Sequence, residues 1–179
     1  YTEDTRGREL YVANVPLMDS LSFTFLAYAA FCVARGTLGA RAPAWAVTVT
    51  GGILMMLLDV VIDPIAVRGD RWFLGRIFYY PEGGAYFGVP LSNFAGWASV
   101  GMASIGGYLV LTGDGRGGRP EPGIALYYAV LAFNLAVTAW IGEWGLLGLG
   151  LGLHAVIAAV LYAVRRRPAT GPGMESQKA

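Results

Sequence analysis

Apolar residues fall in five blocks, 16–34, 44–62, 94–111, 124–141 and 146–164, rather than scattered as the core of a soluble domain requires. Each block is about 18–20 residues long, enough for a helix to cross a hydrocarbon core of about 30 Å. Backbone groups in lipid find no water, so each block is expected to be a helix with its hydrogen bonds closed internally. The pattern predicts an all-α, polytopic transmembrane bundle of about five spans, one domain over residues 1–165 with a disordered tail at 166–179. The second block ends at Asp63-Pro64, and a residue preceding proline is driven out of the helical region, so a stop or kink is expected there. Between the second and third blocks runs a long connector, 64–93, carrying Trp72, Phe73, Phe78, Tyr79, Tyr80, Tyr86 and Phe87. Aromatic rings of this kind settle at the lipid headgroup level. Two compatible readings follow: an interfacial stretch lying on the membrane, and a lid over a cavity between the spans.

Composition sharpens this picture. Hydrophobic residues make up 55% and charged residues 14%, with a mean hydropathy of +0.51, against about 25% charged in a soluble domain. The net charge of +1 offers no broad basic field for nucleic acid. Cys32 is the single cysteine, so an internal disulfide is excluded, and its apolar setting reads as packing. The chain opens at Tyr1 without a methionine or the apolar stretch of a signal peptide, which reads as a fragment lacking further N-terminal helices.

Basic residues beside the spans give an orientation. Arg165, Arg166 and Arg167 place the C-terminus in the cytoplasm, and counting back puts Arg35/Arg41 and Arg116/Arg119 on the same side. The turn at Glu143 and the connector then lie outside, although the connector holds Arg68, Arg71 and Arg76. Small residues, Gly148 and Gly152 in the fifth span and Gly101, Ala103, Gly106 and Gly107 in the third, suggest close helix packing within the bundle, with a homodimer face as the lesser alternative.

The candidate chemistry centres on Asp59 and Asp63. Four residues apart, they share one helix face near the end of an otherwise apolar span. Two carboxylates in a poorly hydrated site resist ionising together, and a carboxyl group kept neutral serves as a general acid. The plainer reading is pairing with Arg68, Arg71 or Arg76, or backbone capping. Glu82, in Pro81-Glu82-Gly83-Gly84, either folds toward the pair or sits in a solvated turn. Asn93 and Trp97 share a face at the start of the third span, Asn93 capping that helix or positioning a water. His154 stands in the middle of the fifth span, where bonding to a neighbouring helix competes with a functional role. Asp19 and Asn134 are further polar positions for the same cavity. With one histidine, no cysteine pair and no glycine-rich phosphate loop, metal, haem and nucleotide cofactors are not indicated.

The run Asp59-Val-Val-Ile-Asp63-Pro64, then Trp72, then Gly84-Ala-Tyr86-Phe87-Gly88-Val89-Pro90-Leu-Ser-Asn93-Phe94-Ala-Gly96-Trp97 resembles the carotenoid biosynthesis membrane-protein family, which includes bisanhydrobacterioruberin hydratases and carotenoid 1,2-hydratases. Asn14-Val15-Pro16 leading into a span is similar to the segment before a mid-chain helix of that family, and the resemblance covers roughly 11–165. Members are generally longer at the N-terminus, which implies a missing span here. The resemblance implies a cofactor-free enzyme of a prokaryotic cytoplasmic membrane that hydrates the terminal isoprenoid double bond of an acyclic carotenoid. Its partners are the lipid-soluble carotenoid and membrane lipids. On that reading Asp59 and Asp63 supply the proton, and Trp72, Tyr86, Phe87, Asn93 and Trp97 bind the substrate, aromatic faces stabilising a carbocation.

Two other functions compete. Asp-x-x-x-Asp with the nearby arginines suits a Mg²⁺-diphosphate site of a prenyltransferase, although such enzymes carry a second acidic motif. Intramembrane Asp and His also suit a proton-coupled carrier or a pigment-binding subunit, although no internal repeat is evident.

Overall fold

The computed structural model describes residues 10–12, 15–113 and 118–166, and of Val12, Val15, Met18 and Asp19 only the backbone. The tail at 167–179, with the disorder expected for it, and Arg116 lie outside the described residues, as does Asn14. Five helices carry the fold: α1 Leu17–Leu38, α2 Ala44–Ala66, α3 Leu91–Thr112, α4 Glu121–Trp140 and α5 Trp144–Arg165. All five are long and apolar enough to cross a membrane, and the chain is an integral membrane protein of the all-α class. A two-residue ladder, β1 Tyr11–Val12 with β2 Val15–Pro16, leads into α1.

Helix α2 is the axis of the bundle and contacts each of the other four. Its mean hydropathy is 2.0, and Val47, Met55, Leu58, Val61 and Ile65 are fully enclosed, while Trp45, Val49 and Ile53 remain exposed. The outer helices bury one stripe each. On α5 this is Leu146, Gly150 and His154; on α4 it is Tyr127, Leu131, Asn134 and Thr138. These recur at three or four residues, the spacing of one helix face.

Lipid is as apolar as the helices, so association rests on close packing rather than on burial from water. The tightest approach is between α2 and α3. A Cβ on Gly101 would lie 3.0 Å from the Cα of Gly52, and one on Gly52 would lie 2.9 Å from the Ala98 carbonyl oxygen. Gly123 of α4 meets Cys32 of α1 in the same way, which makes the buried thiol a packing element. The glycine pair expected to pack α5 does not do so. Gly148 and Gly152 are exposed with open space around them, and Gly150 makes the contact, 3.1 Å from Val61 Cγ2 and 3.2 Å from Leu135 Cδ2 for an added Cβ. The offset of two residues turns the buried stripe through about 200°, because each residue advances the helix by about 100°.

The expected break at Asp63-Pro64 is also corrected: α2 continues to Ala66. Pro64 lacks the N–H that would bond the Val60 carbonyl, but it sits in the last turn, where few ladder bonds remain to be lost. That turn is anchored by Ile65 and Ala66, 0% and 1% exposed, in a small cluster with Trp72 and Leu146. Continuing the helix keeps Asp59 and Asp63 on one face.

The connector is irregular apart from a single 3₁₀ turn at Gly69–Arg71. Arg68 and Arg71 reach the α4–α5 turn, with Arg68 Nε 3.1 Å and Arg71 Nη1 2.9 Å from Glu143 Oε1, and Arg71 also donates to the Ile141 carbonyl. At its far end Tyr86 and Val89 exchange backbone hydrogen bonds of 3.1 and 2.9 Å around Phe87 and Gly88, at φ 49° and 93°. This turn delivers Pro90 to the start of α3 and sets Asn93 in its first turn.

Gly101→Leu is expected to destabilise the protein by about 1–3 kcal/mol through overpacking of α2 against α3, whereas Gly148→Leu is tolerated. Thermal unfolding in detergent, compared between the two variants, checks this.

Candidate functional site

Asp59 is fully buried and Asp63 is 5% exposed, both on the α2 face toward α3. The Nδ2 group of Asn93 donates to both carboxylates, at 2.8 Å to Asp59 Oδ2 and 2.8 Å to Asp63 Oδ2. A carboxamide nitrogen carries two hydrogens, so each is spent on one acid. The Tyr80 hydroxyl donates to the same Asp63 oxygen at 3.0 Å. The two carboxylates converge on one amide nitrogen in apolar surroundings, where two such groups resist ionising together.

Two of the three arginines expected as partners, Arg68 and Arg71, turn to Glu143. Asn93 does not cap α3: Pro90 stands at the cap position without a side-chain bond, and the Asn93 amide bridges the acids.

Beside the pair lies a cavity of about 670 Å³, enclosed by α1 to α4 and roofed by the connector. That volume is within the range of about 300–1,000 Å³ typical of small-molecule sites. Asp63, Asn93 and Tyr80 form its polar end, and Asp59 stands behind them, out of contact with the open space. The remaining wall is largely aromatic. Trp97 of α3 stacks on Phe23 of α1, ring centroids 4.4 Å apart and planes 15° apart. Phe73 of the connector meets Phe133 of α4 edge to face at 5.1 Å. Phe25, Phe73 and Phe133 are about half exposed at the rim, where an exposed surface of a spanning helix faces lipid. The aromatic connector is therefore a wall of the cavity.

Of the residues singled out from sequence, Asp63, Asn93, Trp97 and Trp72 meet at the cavity, with Asp59 in hydrogen-bond contact behind. Tyr86 and Phe87 do not line it. They pack behind the roof, Tyr86 edge to face with Phe94 at 5.3 Å, and burial pushes the Tyr86 phenol up from its ordinary value. Glu82 is exposed on the turn closed by the Gly83 amide to the Tyr80 carbonyl. His154 is buried in α5, its Nδ1 3.0 Å from the Gly150 carbonyl, and does not line the cavity. Asn134 does line it; the side chain of Asp19 lies outside the described residues. Sequence reasoning missed Tyr80 and Phe23. Tyr80 was visible only as one of several connector aromatics, and Phe23 as one apolar residue of a span.

The model of the carotenoid biosynthesis protein family matches residues 5–163, and the chain belongs to that family. No curated protein and no solved structure matches the chain.

Replacing Asn93 by Leu removes the shared donor; Asp63 keeps the Tyr80 hydroxyl, while the buried Asp59 Oδ2 loses the Asn93 amide, at a cost of about 1–3 kcal/mol. The expected outcome is a clear loss of thermal stability in detergent, rescued in part by the further change Asp59→Asn.

Proposed function

We propose that this member of the carotenoid biosynthesis protein family hydrates the terminal isoprenoid double bond of an acyclic carotenoid, with the Asp59–Asp63 pair as its acid. One observation carries the reading: a buried, hydrogen-bonded carboxyl pair presents one of its members, Asp63, to the wall of an apolar and aromatic cavity.

The Asp63 O–H breaks and its proton forms a C–H bond at the CH carbon of a (CH₃)₂C=CH end. The alkene π pair supplies that bond and leaves a tertiary cation on the dimethyl carbon. A water lone pair forms the C–O bond, and the proton released returns to the Asp63 carboxylate. Alkene and water give a tertiary alcohol, and no oxidant or reductant is consumed. The parts favour this chemistry. Asn93 and Tyr80 hold Asp63 in place and stabilise the carboxylate left after transfer. The Trp97 and Phe133 rings offer π faces to a cation that an apolar wall otherwise would not tolerate. A polyene dissolved in the bilayer meets the rim directly, since Phe25 and Phe133 face lipid.

We also infer the orientation that leaves the C-terminus in the cytoplasm of a prokaryotic cell, with the site at the outer ends of the spans. The connector arginines stood against it by the positive-inside pattern.

Asp63→Asn and Asp59→Asn are each expected to lower alcohol formation by about a hundredfold or more, the scale of a lost general acid. Chromatography of pigments from a lycopene-producing host measures it, and wild-type conversion by both variants would discard the mechanism. Oxygen from ¹⁸O-labelled water is expected in the product. A reporter fused after Ala179 should read out on the cytoplasmic side.

A further inference from the structure

The cavity beside the acids is short along the helix axes. Residues 22–26 of α1, 62–66 of α2, 93–97 of α3 and 129–134 of α4 bound it, about one turn of each helix. At about 1.5 Å per residue these stretches rise about 6–8 Å, against a hydrocarbon core of about 30 Å. Away from the connector the bundle is filled. Leu54, Leu58 and Tyr127 are buried, and the Tyr127 hydroxyl donates to the Leu54 carbonyl at 3.0 Å. The space is a chamber rather than a channel along the bundle.

The seams between the helices differ. Between α1 and α3 the stack of Phe23 on Trp97 stands across the seam, with centroids 4.4 Å apart. Helices α2 and α3 are in glycine contact at Gly52 and Gly101. Helix α5 covers α2 and α4, where a Cβ on Gly150 would touch Val61 and Leu135. Among the described helices, that leaves the seam of α1 with α4. Phe25 stands on the α4 side of α1, seven residues and about two turns before Cys32, which meets Gly123 of α4. Phe25, Phe133 of α4, and Phe73 and Leu74 of the connector all line the cavity, yet they are between 43% and 57% exposed. Side chains that touch both the chamber and the outside mark its mouth. That mouth is apolar and opens among spanning helices, so it opens on lipid.

We propose that this α1–α4 opening is a lateral port that admits the terminal segment of an acyclic isoprenoid and leaves the rest of the chain in the bilayer. A conjugated carotenoid is a stiff rod and cannot coil into a chamber one turn deep. Its end reaches Asp63 while its length passes out between Phe25 and Phe133, under Phe73. The site therefore reads the end group and not the length of the chain, and the two ends of a symmetric carotenoid are taken in separate binding events. The identity of the end group rests on the hydration reading above; the port rests on the shape of the chamber.

The experiment uses the full-length protein in phosphatidylcholine vesicles. Phe25→Cys places a thiol in the port. Leu151→Cys places one on an exposed, lipid-facing position of α5 at a similar depth, seven residues into its helix against eight for Phe25. Labelling by N-ethylmaleimide is followed with and without lycopene, and the wild-type chain gives the background of the buried Cys32. Lycopene at ten times its Kd is expected to slow labelling of Phe25→Cys about tenfold by mass action, and to leave Leu151→Cys unchanged. Unslowed labelling of Phe25→Cys overturns the port, and so does equal slowing at both positions. If Phe25→Cys does not fold, Leu74→Cys carries the same expectation. In a second arm, wild-type protein converts acyclic isoprenoids of thirty and forty carbons that share the (CH₃)₂C=CH end, at equal mole fraction in the membrane. Similar kcat/KM values are expected. A difference of about tenfold or more, the scale on which a pocket gripping the whole chain discriminates, overturns the end-group reading. Protection of Phe25→Cys without alcohol from either chain sinks the hydration reading and leaves the port standing, so the two failures are distinct.

Discussion

Two carboxylates placed in a medium that cannot solvate them must be supplied with donors by the protein, and much of the site follows from where those donors come from. One carboxamide, Asn93, spends both its hydrogens on Asp59 and Asp63. Tyr80 adds a third hydrogen bond, to Asp63 alone. The Asn93 contact is possible only because α2 and α3 run close together, and they do so because glycines 52 and 101 have no side chains to hold them apart. A structural device in the middle of the membrane thus sets the geometry of a polar device at its edge.

The cavity beside the acids is graded. Its polar end is made by Asp63, Asn93 and Tyr80, its walls by stacked and edge-on rings, and its rim by residues exposed to lipid. The connector closes the roof and is held from two directions. Tyr80 ties it to Asp63, and Arg68 and Arg71 tie it to Glu143 in the α4–α5 turn. These ion pairs are partly exposed, so their contribution to stability is modest, on the order of 1 kcal/mol or less each. Their larger consequence is geometric. They fix where the aromatic roof sits over the spans.

Membership of the carotenoid biosynthesis protein family and this geometry lead to the same chemical problem. An acyclic carotenoid offers only C–C and C–H bonds and alkenes, so an enzyme acting at its end must begin with a strong acid, a redox step or a radical. A paired carboxyl group at the wall of an aromatic cavity answers to the first of these. On the proposed hydration reading, the stack on Phe23 occupies one face of Trp97 and so restricts where a developing cation would find π stabilisation.

Much of this was legible along the chain. Hydropathy is a local property, summed over about twenty neighbouring residues, and it marked five spans and an aromatic connector. The four-residue spacing of Asp59 and Asp63 put them on one face, and the run through Trp97 pointed to the family. Other readings required contacts between distant segments. Gly148 and Gly152 have the spacing of a packing motif, but Gly150 carries the contact, because the rotation of α5 is set by its neighbours. Pro64 is a local breaker that the buried cluster of Ile65, Trp72 and Leu146 overrides. Tyr86 and Phe87 belong to the family run but pack behind the roof, whereas Tyr80, which nothing in the sequence set apart, reaches the acid. The amino-acid sequence determined that the described residues carry five helices able to cross a membrane and an acidic pair in apolar surroundings, since both depend on residue type and short spacing. Only the tertiary structure decided which acid meets the cavity, which amide bridges the pair and which aromatic rings face the open space, because those depend on how helices far apart in the chain rotate and approach.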